Sequence, residues 1–260
     1  MRKLMDTQQQ KSWNVLLVGD SCLDVYHYGV CERMSPEAPV PVFKETRQET
    51  KLGMSGNVRL NLESLGADVF HHHNTEKIKK HRFIENNYNQ QLFRYDEGEN
   101  ITIKPMLPLT FGNFDAVVVS DYNKGFITPG SFRLLQEQLN PLVPIFVDSK
   151  KKDLRIFKNC IIKINESEVK RGTIDPTQEV VVTLGGHGAL WKNQIFKTEK
   201  VDVYDVCGAG DVFLAGLVYG FLKHRDIPKA IVLANKCASL SVTKMGTYVL
   251  TKSDINDLCI

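Results

Sequence analysis

Three features of this sequence predict an α/β fold built on a mostly parallel, doubly wound sheet. Short apolar runs rich in β-branched residues, beginning near positions 13, 114, 144, 160 and 179, each end at glycine or a small polar residue, as buried strands do. Helical patterns such as 55–65 and 128–139 separate several of these runs, and this alternation is typical of a sheet with helices on both faces. The 260 residues, 42% of them hydrophobic and 24% charged, suffice for one domain with a large core.

The remaining segments follow in chain order. Residues 1–12 are predicted to be a polar tail and residues 13–260 a single domain. Residues 26–46 and 81–104 do not fit the strand–helix alternation, and we expect them to form strands of a small separate sheet that covers a site as a lid. Val206–Lys223 is apolar nearly all round, which predicts a buried helix, and Pro228 opens the next one.

Composition and charge exclude several classes of function. A net charge of +3 does not indicate a nucleic-acid or membrane partner, and we find no apolar stretch long enough to span a bilayer. The six cysteines form no C-x-x-C pair, so we expect free thiols, no zinc site and a cytoplasmic location. Metal binding by His71–His73 is not favoured, because adjacent strand residues point to opposite faces.

The strongest chemical signal is the run Gly208-Ala209-Gly210-Asp211, directly before the apolar helix. Small residues let an anion approach the backbone, and the free N–H groups and dipole of a helix start stabilise phosphate oxygens. Asp211 beside such an anion could accept a proton from an attacking hydroxyl. On local sequence alone a glycine turn with an Asp cap remains an equal alternative. Neither the P-loop nor the dinucleotide glycine pattern is present.

The motif D-x-x-G-A-G-D at 205–211 resembles the C-terminal signature of the ribokinase (PfkB) family of carbohydrate kinases. Further family-like segments occur in the same order: N-x-x-E at 165–168, V-T-L-G-x-x-G at 182–188, Ala234-Asn235 and 244–247. Several segments also resemble the D-glycero-D-manno-heptose 7-phosphate kinases, which form the N-terminal half of bifunctional enzymes of ADP-heptose synthesis: 18–20, 23–24, 28–29, 33–42, 89–94, 120–125 and 147–150. The resemblance covers nearly the whole chain from residue 13.

This resemblance implies a ribokinase-like fold with a small β lid and an ATP- and Mg²⁺-dependent sugar kinase. The catalytic residues it implies are Asp211 as general base, with Gly208, Ala209 and Gly210 as the anion hole. The acceptor-binding residues are Asp24, Gly53 and Asn57, with Lys124 and Lys150 as candidate phosphate contacts. The nucleotide-side residues are Asn165, Thr183, Gly185, Gly188 and Asn235, and Glu168 is expected to order Mg²⁺ through water. Two of these have simpler alternatives, Asp24 as a turn cap and Lys150 as part of a solvated loop.

The implied activity is phosphoryl transfer to the anomeric hydroxyl of heptose 7-phosphate, by a homodimer that associates through the lid. Three departures from the subfamily pattern leave alternatives open. Met54 stands where a glycine is usual, Tyr88 stands where an arginine precedes Asn-Gln-Gln, and the stretch between Phe70 and His81 is several tens of residues too short. A PfkB kinase for another sugar or sugar phosphate, and a degenerate sugar-binding protein without turnover, are therefore alternatives. The second half of the bifunctional enzymes is expected to be absent, since no H-x-G-H motif occurs.

Overall fold

The computed structural model describes residues 12–107 and 112–258, so most of the predicted tail at 1–12 lies outside the described residues. Eight strands form the main sheet in the order β12-β11-β10-β9-β8-β7-β1-β4. The six from β10 to β4 are parallel, and β11 and β12 add an antiparallel edge. The bounds are β1 Trp13–Gly19, β4 Ala67–His73, β7 Ala116–Asp121, β8 Ile145–Ser149, β9 Ile161–Asn165, β10 Glu179–Thr183, β11 Ala189–Trp191 and β12 Gln194–Phe196.

Two hydrophobic cores lie on the two faces of this sheet, because successive strand residues point in opposite directions. On β1, Val15 and Leu17 belong to one core, whereas Leu16 and Val18 belong to the other. The helices that cover the sheet are α1 Ser55–Ser64, α2 Pro129–Gln138, α3 Glu166–Arg171, α4 Ala209–His224, α5 Ile227–Ser241 and α6 Lys252–Asp257. Side chains of α1, α4 and α5 fill the first core, and those of α2 fill the second. Helices therefore cover both faces, as the sequence predicted.

Helix α4 is buried on nearly all sides, and two glycines let α5 pack against it closely. A Cβ at Gly220 would lie 2.8 Å from the Cα of Ala230, and one at Gly216 would lie 3.0 Å from the Cα of Ala234. The helix begins at Ala209 rather than at Val206, because Gly208 adopts a left-handed conformation and forms its N-cap. None of the helices in the described ranges is long and apolar enough to cross a membrane.

A second, four-stranded sheet forms the lid in the order β3-β2-β5-β6. Its strands are β2 Ser21–Val30, β3 Lys44–Met54, β5 Lys79–Glu85 and β6 Gln90–Glu97. Strands β2 and β5 begin before the predicted ranges 26–46 and 81–104, β3 runs beyond the first range, and β6 lies within the second. Residues 31–43 contain only the isolated bridge between Met34 and Pro41, since the prolines there disfavour a continuous ladder.

The shortened region between Phe70 and His81 is a direct link from β4 to lid strand β5. Asn74 fixes this link to the start of β2, accepting a 2.6 Å hydrogen bond from the backbone N–H of Ser21 and donating one to its carbonyl oxygen. Strand β4 is the edge of the main sheet, and Phe70 on it is 55% exposed. The segment that would follow β4 in a longer chain is thus replaced by five residues, 74–78, between the two strands.

Candidate active site

The turn before α4 is held in shape by Asp205. One carboxylate oxygen of Asp205 accepts from the backbone N–H of Cys207 at 2.9 Å, and the other accepts from Gly246 at 2.8 Å. Gly208 has φ 77°, and a Cβ there would lie 2.7 Å from the side-chain nitrogen of Asn57. Only glycine satisfies both conditions, so the backbone of 208–210 is left open to a ligand at the positive end of a 16-residue helix.

Asp211 lies in the first turn of α4 and is 4% exposed. The hydroxyl of Tyr122 donates to its Oδ1 at 2.7 Å, and Nδ2 of Asn57 donates to its Oδ2 at 3.1 Å. Burial raises the pKa of Asp211 to about 6, although these two hydrogen bonds oppose the shift. A carboxylate with a raised pKa, beside a glycine turn at a helix start, is suited to accept a proton from a hydroxyl.

A buried lysine, Lys163 on β9, lies beside the same turn. It is 2% exposed, and its ammonium donates to Asp148 at 2.7 Å. A Cβ at Gly210 would lie 2.9 Å from the nitrogen of Lys163, so glycine at 210 makes room for the ammonium. Burial acts to raise the pKa of Asp148, but Lys163 and Lys150 lower it overall. A lysine within the apolar run 160–164 is out of place unless it is paired, and this is the sequence signal that indicates a role for Lys163.

Asn165 and Glu168 form a reciprocal cap at the start of α3. The side chain of Asn165 accepts from the N–H of Glu168, and Glu168 Oε2 accepts from the N–H of Asn165, both at 2.9 Å. The other oxygen of Glu168 accepts from Lys150 at 2.5 Å. Lys150, which is also 3.3 Å from Asp148, therefore belongs to this cluster and not to a solvated loop.

Two adjoining cavities bring the nucleotide-side residues together. The first, of about 600 Å³, is lined by Tyr122, Asp148, Lys150, Lys163, Asn165, Gly208, Gly210 and Asp211, among others. The second, of about 380 Å³ and mainly apolar, is lined by Gly188, Phe213, Asn235 and Val242, among others. Thr183, Gly185 and Gly210 line both. Asn235 is 5% exposed, and its side-chain nitrogen donates to the carbonyl oxygen of Phe196 at 2.8 Å.

The predicted acceptor residues lie on the lid side of the transfer site. Asp24 on β2 is 2% exposed and forms an ion pair with Arg82 on β5, which sequence reasoning did not single out. A Cβ at Gly53 would collide with the carboxylate of Asp24, so glycine at that position is required by the lid itself. Asn57, on α1, contacts Asp211 directly. The ammonium of Lys124 instead pairs with Glu99.

Two of the departures from the subfamily pattern differ in environment. Met54 has φ 55°, a backbone conformation that favours glycine, while its side chain is 4% exposed in the second core. Tyr88 is 83% exposed in the turn between β5 and β6. Arg82, six positions before Tyr88, instead places its guanidinium against Asp24 and 3.5 Å from the sulfur of Cys207.

The histidine run on β4 is occupied by protein contacts. His71 is 2.9 Å from the hydroxyl of Ser55, and its ring is 4.4 Å from that of His73. Burial lowers the pKa of His71 to about 3. Within the described residues no group of three His, Cys, Asp or Glu side chains could hold a metal ion, and the five cysteines they include are free thiols.

Comparisons with known proteins identify the family of this chain. Residues 57–253 match the pfkB family carbohydrate kinases. The Bifunctional protein HldE of Campylobacter jejuni strain RM1221 is 29% identical over 303 residues, which cover 97% of this chain and 66% of that protein. The chain thus spans just under two thirds of this relative. The aligned region of 303 positions also exceeds the 260 residues of this chain, as expected for a shortened member.

Solved structures establish the fold. Ribokinase from Thermotoga maritima superposes with a TM-score of 0.68 at 14% identity, covering 95% of this chain and 99% of that one. Arabidopsis thaliana ribokinase, solved with ribose and ATP, gives a TM-score of 0.65 at 15% identity, covering 96% and 100%. The predicted ribokinase-like fold is confirmed. Because the family match extends over well more than half of the chain, this protein belongs to the pfkB family of carbohydrate kinases and is a phosphotransferase that acts on an alcohol group.

Proposed function

We propose that this protein transfers the γ-phosphate of ATP to the anomeric hydroxyl of D-glycero-D-manno-heptose 7-phosphate. The observation that carries the proposal is the buried carboxylate of Asp211 at the start of α4. It accepts hydrogen bonds from the side chains of Asn57 and Tyr122. It lines a cavity that leads to the predicted nucleotide residues, and its partner Asn57 lies on the helix that follows lid strand β3. The choice of heptose rests on the segments that resemble heptose 7-phosphate kinases.

In this reaction Asp211 accepts the proton as the acceptor oxygen bonds to the γ-phosphorus and the bond to ADP breaks. The backbone N–H groups of Gly208 and Gly210, at the positive end of α4, stabilise the transferring phosphoryl oxygens, whereas the N–H of Ala209 donates to the carbonyl oxygen of Val206 at 3.2 Å. The buried ammonium of Lys163 adds positive charge beside Gly210. Asp148, which pairs with Lys163 at 2.7 Å, offsets part of this charge.

The two cavities suit a nucleotide. An adenine fits the mainly apolar space of about 380 Å³, and phosphates fit the larger space that contains Lys150 and Lys163. Glu168 and Asn165 provide the oxygen donors that Mg²⁺ prefers, and the family resemblance implies that Glu168 would act through water. Mg²⁺ bound there would neutralise charge on the phosphates.

The lid supports an anionic acceptor. Across its strands, Lys51, Asp24, Lys80 and Asp96 occupy one row of neighbouring positions, and the next row on the same face contains Glu49, Tyr26, Arg82 and Arg94. These positions share the face of the sheet that carries Asp24. Arg82 and Arg94 already pair with Asp24 and Asp96, so Lys80, whose ammonium lies 5.8 Å from the ring centroid of Tyr122, is the group on this face that we expect to meet the phosphate of a sugar phosphate.

A kinase for a different sugar or sugar phosphate is the second candidate. It is favoured by Met54, which fills space where relatives have glycine, and by the exposed position of Tyr88. Both depart from the pattern of the heptose 7-phosphate kinases, while the glycine turn at 208–210 and Asp211 are the same in either case.

The proposal includes a homodimer formed through the lid, in the cytoplasm. The face opposite Asp24 carries a continuous stack of rings, with His27 4.4 Å from Phe83 and Phe83 4.3 Å from Phe93. Phe93 and the neighbouring Tyr95 are 51% and 55% exposed. A contiguous exposed aromatic surface of this kind is typical of an interface.

The test is ADP release with Mg-ATP over a panel of sugars and sugar phosphates. We expect turnover with heptose 7-phosphate and a loss of about 10²–10⁴-fold in the Asp211→Asn variant. Asp254→Asn is the matched control, since Asp254 also accepts from a tyrosine hydroxyl at 2.7 Å but lies on α6. Turnover with another acceptor would select the second candidate. Sugar binding without turnover on any acceptor would contradict both candidate functions.

A further inference from the structure

Tyr122, which the motifs left without a role, makes direct contact with the proposed base. Its hydroxyl donates to Oδ1 of Asp211 at 2.7 Å, while Asn57 donates to Oδ2 at 3.1 Å. The two donors come from different parts of the chain, the loop after β7 and helix α1. Each oxygen of the carboxylate is therefore fixed by one protein donor, and the plane of the carboxylate is set from two sides.

The loop that carries Tyr122 is built to hold it there. Asp20, fully buried at the end of β1, accepts from the backbone N–H of Tyr122 at 2.8 Å and from that of Lys124 at 3.2 Å. Asp121 accepts from the N–H of Asn123 at 2.9 Å, and Asn123 adopts φ 58°. Such a conformation persists only where the surrounding structure enforces it. The position of the Tyr122 hydroxyl is thus a property of the loop as a whole.

The groups around Asp211 shift its pKa in opposite directions. Burial raises its pKa most, the donors Tyr122 and Asn57 lower it, Asp148 on β8 raises it and Lys163 on β9 lowers it. The thiols of Cys22 and Cys207 also lie within electrostatic range. Removing the Tyr122 hydroxyl takes away a donor to the charged form, and the carboxylate would then hold its proton to a higher pH.

The ring of Tyr122 also joins the two sides of the site. The ammonium of Lys80, on lid strand β5, lies 5.8 Å from the ring centroid, and that of Lys150, from the nucleotide-side cluster, lies 5.7 Å from it. Both are within the range of a cation–π contact. The same side chain that contacts Asp211 is therefore close to a cation on the acceptor side and to one on the donor side.

We propose that Tyr122 is a positioning residue that clamps the Asp211 carboxylate, together with Asn57, in the orientation that accepts the proton of the acceptor. The inference rests on the proposed role of Asp211 as the base. Each carboxylate oxygen has two lone pairs, so Oδ1 can accept from Tyr122 and from the attacking hydroxyl at once. Tyr122 itself neither gains nor loses a proton in the reaction.

The first test needs no acceptor and so stands apart from the identity of the substrate. Protein labelled with ¹³C at the aspartate carboxyl carbons is titrated by NMR, and Asp211→Asn identifies the resonance of Asp211. In Tyr122→Phe we expect the titration midpoint of Asp211 to rise by about one pH unit, the size expected from a lost hydrogen bond to a charged group. The matched control is Tyr248→Phe, which removes a 2.7 Å hydroxyl–carboxylate bond to Asp254 on α6 and should leave the midpoint unchanged.

A second measurement avoids dependence on the folding of one variant. In protein labelled with fluorotyrosine, the ¹⁹F resonance of Tyr122 should titrate with the same midpoint as Asp211 and lose this step in Asp211→Asn. In kinetics, Tyr122→Phe should lower kcat about tenfold or more and move the acidic limb of the kcat/KM profile to higher pH, with KM for ATP little changed. An unchanged Asp211 midpoint, or a rise in acceptor KM with an unchanged pH profile, would overturn the positioning role.

Discussion

The guanidinium of Arg82 donates a hydrogen bond to the buried carboxylate of Asp24 on the neighbouring, parallel lid strand. A second nitrogen of Arg82 lies 3.5 Å from the sulfur of Cys207, one residue before the glycine turn at 208–210. Arg82 is 8% exposed, and the charge of Asp24 raises its pKa although burial opposes this. The ion pair therefore joins the lid to the transfer site, and it occupies the aspartate that the family resemblance assigns to the acceptor.

Replacing Arg82 tests this connection. Arg82→Met leaves Asp24 as a buried charge without its partner, so we expect the free energy of unfolding to fall by about 3 kcal/mol. We also expect KM for the acceptor to rise while KM for ATP stays within about twofold. Denaturant titration and initial-rate kinetics measure the two effects. Arg94→Met is the control, since that side chain is 46% exposed and pairs at the surface with Asp96.

The double variant Arg82→Met with Asp24→Asn separates the two effects. It removes the unpaired charge, so stability should recover in part while acceptor binding stays weak. Equal losses of unfolding free energy and of acceptor affinity in Arg82→Met and Arg94→Met would contradict the role of the buried Asp24–Arg82 pair.

The raised pKa of Asp211 predicts that its ionised carboxylate destabilises the folded protein at neutral pH. The folded protein holds this proton up to a pKa of about 6, whereas the unfolded chain releases it near 3.8. Between these values the folded state binds more protons, so stability falls as pH rises and levels off above pH 6. Asp211→Asn should therefore raise Tm at pH 7.5, and the gain should disappear near pH 4. The shift corresponds to about 3 kcal/mol as an upper bound. A gain of equal size at both pH values would contradict this explanation.

The positive φ of Met54 predicts that glycine is a better replacement than alanine at this position. Both Met54→Ala and Met54→Gly lose a buried side chain, but only glycine adopts φ 55° without strain. We expect the glycine variant to be more stable than the alanine variant by about 1 kcal/mol, as judged by thermal unfolding. Met106, 6% exposed and without positive φ, is the matched position, where alanine should be the more stable of the two. If the alanine variant were the more stable of the two at both positions, the strain at Met54 would be negligible.

The aromatic face of the lid predicts a change of oligomeric state. Phe93→Glu introduces a charge into the exposed ring stack, so we expect a dimer to dissociate to monomers in light scattering. Leu142→Glu, at a residue that is 89% exposed in the loop after α2, should leave the dimer intact. A wild-type protein that is monomeric at high concentration would contradict the proposal before any variant is made.

Much of the main sheet could be predicted because its signals are local. The strand from Trp13 ends at Gly19, and the helix over 55–65 is found as Ser55–Ser64. The lid was harder, because its strands are partly exposed and their bounds depend on pairing between distant segments. Strand β2 pairs both with β3, which follows it, and in parallel with β5 far along the chain, a pairing that no local pattern indicates.

The sequence by itself determined the family signature, the order of the strands and helices along the chain and the glycine turn at 208–210 before Asp211, since these depend on residue type and spacing. Only the tertiary structure decided which side chains meet Asp211 and Asp24. Tyr122, Arg82 and Lys163 reach the site from strands or loops that are remote in sequence, and a contact of that kind follows from how the sheets pack. Burial then sets the charge state of the proposed base, and burial exists only once the chain is folded.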